Sequence, residues 1–99
     1  MRLTKRQIEA IHNATREVFG SRARVKLFGS RVDDEARGGD IDLLVECPEP
    51  IENAEVFAAR LAAKIQMKIG ERKIDVLYVW PGMKQLPVHK AALEQGIEL

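Results

Sequence analysis

Three short stretches hold the side chains that could do chemistry. Asp40-Ile41-Asp42 places two carboxylates two positions apart. On a strand, residues i and i+2 project from the same face. The two carboxylates would then stand side by side while Ile41, Leu43 and Val45 turn toward a core. Neighbouring like charges repel, and a divalent cation between them removes that cost. Mg²⁺ suits such a pair, because it takes one or two carboxylates and completes its shell with phosphate oxygens and water. The plainer reading is the solvated polar face of an edge strand.

Asp75 lies between Ile74 and Val76 in an otherwise apolar run. Asp is disfavoured in strands, and a buried lone carboxylate is costly. If its strand lies beside that of Asp42, Asp75 joins the same cluster, where it could hold metal or take a proton from an attacking hydroxyl. Gly29-Ser30 closes a third apolar run. A glycine there lets backbone approach a ligand closely. The Ser30 hydroxyl adds a donor, and Arg31 and Arg37 add charge suited to phosphate oxygens. Taken alone, Gly-Ser is an ordinary strand-ending turn, and Asp75 could simply face solvent.

The elements that must position these residues follow from periodicity. Thr4 and Gln7 form a capping-box pattern, and Ile8, Ile11, Val18 and Phe19 share one helical face ahead of Gly20. Residues 24–28 alternate as a strand, residues 31–39 read as a polar loop or a single helical turn, and residues 40–45 form a second strand stopped by Pro48 and Pro50. A long helix from Asn53 to Ile69 carries Phe57, Leu61, Ile65 and Ile69, and closes at Gly70. Residues 73–79 give the third strand, and a last helix runs from Pro87 to Gln95. Three strands and three helices predict a small α/β (α+β) domain, with a mixed β-sheet and the helices packed on one face.

Composition narrows the class. The 99 residues are 45% hydrophobic and 31% charged, which fits one globular domain over residues 1–99 and excludes a disordered or collagen-like chain. No apolar run approaches the roughly 20 residues that cross a bilayer, and no signal-peptide core follows the N-terminus. The single Cys47 predicts a reducing, cytoplasmic setting. The net charge is +1, with +4 in residues 1–37 and −3 in residues 38–99. That balance argues against direct nucleic-acid binding. His12 and His89 read as surface residues without a metal-ligand neighbour. Cys47 reads as structural, and Trp80 as strand-end packing or a subunit contact, which leaves a homo-oligomer open.

A strand ending in Gly29-Ser30, the nine residues Arg31 to Gly39, the run Asp40-Ile41-Asp42-Leu43-Leu44-Val45, and a later strand with the single Asp75 together resemble the nucleotidyltransferase superfamily of the DNA polymerase β type. The small size is similar to the minimal nucleotidyltransferases (MNT) of bacteria and archaea. Gly39 departs from the pattern, since many relatives carry a small hydroxyl residue before the first Asp.

The resemblance implies a nucleotidyltransferase fold and an enzyme that moves a nucleoside monophosphate, AMP from ATP or its counterpart from another NTP, to a hydroxyl acceptor. It implies Asp40, Asp42 and Asp75 as catalytic and metal-binding residues for two Mg²⁺ ions. Gly29, Ser30 and Arg31 would bind the nucleotide. It also implies a helical HEPN protein partner in a toxin–antitoxin module, in which the MNT member acts as the antitoxin by modifying the toxin. The competing expectation is a catalytically silent binding module that neutralises a partner by complex formation.

Overall fold

The computed structural model describes residues 3–29, 41–70 and 72–99. Its elements are α1 (Lys5–Phe19), β1 (Arg24–Phe28), β2 (Ile41–Glu46), α2 (Ala54–Ile69), β3 (Ile74–Val79), α3 (Pro87–Gln95) and β4 (Ile97–Glu98). The strands form one mixed sheet in the order β3-β2-β1-β4. β1 runs antiparallel to β2 and β4, whereas β2 and β3 are parallel and joined through α2.

The start of α1 follows its capping box. The Thr4 backbone N–H donates to Gln7 Oε1 at 2.9 Å, and the Gln7 N–H donates to Thr4 Oγ1 at 3.1 Å. Ile11 and Ala14 then enter the core, and the buried Thr15 hydroxyl donates to the Ile11 carbonyl at 2.8 Å. α2 buries Ala54, Ala58, Leu61 and Ile65. The two long helices meet through the Phe19 and Phe57 rings, 5.8 Å apart. Lys64 and Lys68 both pair with Glu17, at 2.6 Å and 3.4 Å. These ion pairs hold the Glu17 carboxyl below its usual range, with the Lys64 hydrogen bond the largest cause. Both helices cover the sheet face that carries Val25, Leu27, Ile41, Leu43 and Val45, where each large aliphatic side chain contributes roughly 1.5–3 kcal/mol by leaving water.

The expectation that all helices share one face holds for α1 and α2 and needs correction for α3. Leu44 lies between Leu43 and Val45 and so points the opposite way, yet it too is fully buried. With Val79 and Ala92 it forms a second, smaller core under α3, lined by Phe28, Leu77, Met83 and Leu93. β2 is apolar on both sides over residues 43–45, so both faces of the sheet need cover. Lys26 ties α3 to the sheet: its Nζ donates to the Leu93 carbonyl at 3.1 Å and pairs with Glu46 at 3.3 Å. That puts a cation at the helix's negative end.

Two further differences from the sequence expectation have simple causes. β4 adds a strand that a two-residue segment gives no periodicity to read; it pairs Ile97 with Leu27 and Glu98 with Lys26. His89 is not on the surface. Only 6% of it is exposed, and its Nδ1 accepts from the Leu86 N–H at 3.1 Å. Leu86 sits at the N-cap and has no acceptor in its side chain, so His89 supplies the acceptor from one turn inside α3.

Candidate active site

The site is built on the row where β1, β2 and β3 cross. Phe28 is the Cα partner of Asp42 on one side, and Asp75 is its Cα partner on the other. Paired residues on neighbouring strands project from the same face, about 4.8 Å apart. The two carboxylates therefore stand side by side at the leading end of the β2–β3 ladder. Asp42 is half-buried and Asp75 is exposed. The next residues along this face, Leu44 and Leu77, belong to the core beneath α3. The acidic pair thus lies at the margin of the face that α3 covers further along.

Gly29 approaches this row from the end of β1. Its φ is +76°, a region that costs a β-carbon dearly. A Cβ built there would fall on the Asp42 carboxylate, with Asp42 Cγ at 3.2 Å and Asp42 Cβ at 3.4 Å. Both the backbone angle and the space available demand the absence of a side chain. The Gly29 backbone and the Asp42 carboxylate form one packed unit.

The sequence profile described as "nucleotidyltransferase domain" matches residues 8–98. The chain belongs to the nucleotidyltransferase domain family. Its fold is similar to that of a chain in the crystal structure of a mutant MntA–HpeT toxin–antitoxin complex. The TM-score is 0.68 at 20% identity, over 92% of this chain and 68% of that one. No curated protein matches the sequence.

The Asp42 carboxylate lies against Gly29, with Asp75 beside it on the next strand. Of the residues expected to form the site, Asp42, Asp75 and Gly29 are brought together, while Ser30, Arg31, Arg37 and Asp40 lie outside the described residues. Among the described residues, no group of three or more His, Cys, Asp and Glu side chains is placed to hold a metal ion. Asp42 and Asp75 nevertheless offer two hard oxygen donors on one open margin. That set fits Mg²⁺, which keeps several waters and shares substrate phosphates rather than demanding an all-protein cage.

Concavity alone would point elsewhere. A cavity of about 590 Å³ lies at the opposite end of β1, lined by His12, Arg22, Arg24 and Glu98 among others. It contains neither carboxylate of the pair, and the chemistry of the acidic row outweighs it. Cys47 is buried, and burial pushes its thiol up to about 11, so it is no nucleophile at neutral pH. The Tyr78 and Trp80 rings stack on each other at 5.4 Å. The pairing of Phe28 with Asp42 is not legible in the sequence, because register between strands is not written in either strand alone.

Proposed function

We propose that this chain is a single-domain, Mg²⁺-dependent nucleotidyltransferase that transfers AMP from ATP to a hydroxyl acceptor. In this reading it serves in the cytoplasm as the antitoxin of a HEPN-type toxin. The observation that carries the proposal is the in-register placement of Asp42 and Asp75 on one open margin, in a chain of the nucleotidyltransferase domain family. The fold likeness to a chain of a toxin–antitoxin complex supports the antitoxin role, as does the resemblance to minimal nucleotidyltransferases. Among the described residues, no helix is long and apolar enough to cross a membrane.

The residues divide the work. Asp42 and Asp75, with Asp40, would hold Mg²⁺, which supplies charge neutralisation for the phosphates. Gly29, Ser30 and Arg31 would grip the phosphate chain. Asp75, the more open carboxylate, accepts the proton of the acceptor hydroxyl. The acceptor oxygen then forms its bond to the α-phosphorus, the bond from that phosphorus to the bridging oxygen breaks, and pyrophosphate leaves with the electron pair. Positioning and charge account for most of such a step.

The test is transfer of label from α-labelled ATP to a helical protein encoded beside this chain, with wild type and Asp42→Asn in parallel. Labelling by wild type and its loss in the variant are expected. Equal labelling by both would end the proposal.

One observation favours the binding-module reading as a second function. Val56 and Met67 are 53% and 87% exposed, on the side of α2 away from Leu61 and Ile65. Full neutralisation of the partner by Asp42→Asn would support that reading.

A further inference from the structure

A cation stands just ahead of the edge strand β3, on the carboxylate face. The Ile41 N–H donates to the Lys73 carbonyl at 2.9 Å, and the Cys47 N–H donates to the Val79 carbonyl at 2.8 Å. These bonds close the two ends of the β2–β3 ladder, and the Lys73 carbonyl belongs to the bond that opens it, one residue ahead of β3. The alternation of β3, carried one residue back from Ile74, puts Lys73 on the face of Asp75, Leu77 and Val79. At about 3.3 Å per residue it lies some 6.6 Å along the strand from Asp75.

Lys73 is exposed. Lys26, Lys64, Lys68 and Arg24 are all paired with carboxylates. Among the described residues, no hydrogen bond or ion pair engages the Lys73 ammonium. It is a long, flexible point charge, standing one pleat from two carboxylates that would hold a metal–nucleotide complex.

Position decides which part of the donor it meets. Gly29 stands at the β1 side of the row, and Asp75 stands two strand spacings away at the β3 side. A phosphate chain gripped near Gly29 and laid along the row toward β3 would place its transferring phosphoryl between Asp42 and an acceptor at Asp75.

We propose that Lys73 is a further catalytic residue that ion-pairs with the non-bridging oxygens of the α-phosphoryl group being transferred. This rests on the nucleotidyl-transfer reading above. Lys73 exchanges no proton. It counters the charge gathered on the α-phosphoryl while the acceptor oxygen bonds to phosphorus and the pyrophosphate oxygen departs.

The experiment compares wild type, Lys73→Gln and Lys73→Arg by calorimetric titration with Mg²⁺–ATP and, separately, with Mg²⁺–pyrophosphate. Pyrophosphate presents the leaving group without an α-phosphoryl. Lys73→Gln is expected to bind Mg²⁺–ATP about tenfold more weakly, the scale of one charge-assisted contact, with pyrophosphate affinity unchanged and with an unaltered melting temperature. Lys73→Arg is expected to restore most of the loss.

Unchanged ATP affinity in Lys73→Gln, or equal weakening toward both ligands, would overturn the assignment. Wild type that binds neither ligand would instead remove the nucleotidyl-transfer reading, and this inference with it.

Discussion

Asp42 and Asp75 are direct Cα partners across the parallel β2–β3 ladder, one strand spacing apart and on the same face. Like charges placed directly opposite on a sheet destabilise it by a fraction of a kcal/mol to about 1 kcal/mol. The fold sets this pair at the margin of its smaller core. A cation bound there would engage both carboxylates, so stability and ligand binding would be coupled through the same two side chains.

Asp75→Asn separates the two effects. Without metal, the variant should be more stable than wild type by a few tenths of a kcal/mol, because one of two opposed charges is gone. With Mg²⁺ and ATP, the wild type should gain melting temperature and the variant should gain much less. Transfer activity should fall by about 10²–10⁴-fold, the scale of a positioned general base. Melting curves with EDTA and with Mg²⁺–ATP, together with a labelling assay, check all three. A variant destabilised without metal would show that Asp75 is held by favourable contacts rather than repelled.

Gly29→Ala should damage the site through Asp42. The new methyl meets the Asp42 carboxylate, and the backbone must keep a positive φ that Ala resists. Together these should cost about 1–3 kcal/mol of stability. The two causes can be told apart in an Asp42→Ala background, where only the backbone cost persists. Urea unfolding of the four proteins gives the coupling directly. Strict additivity would mean that the carboxylate yields without resistance.

The legible part of this fold was the part carried by local pattern. Thr4 and Gln7 announced the start of α1, Pro87 the start of α3, and the alternation around Ile41, Leu43 and Val45 fixed which way Asp42 points. That same pattern put Asp42 and Asp75 each on a strand but could not make those strands neighbours. Their adjacency depends on α2 carrying the chain across so that β3 aligns parallel to β2. Leu44 hid the position of α3, since a doubly buried strand reads as a plain apolar run. His89 hid its capping role, because a histidine accepting from a backbone N–H looks in sequence like any other surface histidine.

That capping role gives a third expectation. His89→Ala removes the acceptor of the Leu86 N–H and vacates a buried position beside Ala92. A lost N-terminal cap costs about 0.5–2 kcal/mol, and the vacated space adds to it. His89→Asn retains an acceptor near the same place and should recover part of the loss. Chemical denaturation of the three proteins checks the order wild type, Asn, Ala. Because α3 covers Leu44 and Leu77 rather than the acidic row itself, nucleotide binding measured well below the melting temperature should change little in either variant.

Cys47 contributes to the loss of stability at alkaline pH. Burial raises its thiol from 9.0 to about 11 in the folded chain, so the folded state keeps its proton when the unfolded state gives it up. The corresponding stability is fully present below pH 9 and is lost as pH rises through the folded value near 11. Unfolding free energies across that interval should therefore fall more steeply for wild type than for Cys47→Ala, which has no thiol to ionise. At pH 8, a thiol reagent should label the native protein only at the rate at which it opens, and label the denatured protein at once. Rapid labelling of the native chain would place the sulfur in solvent and remove the basis for the alkaline limb.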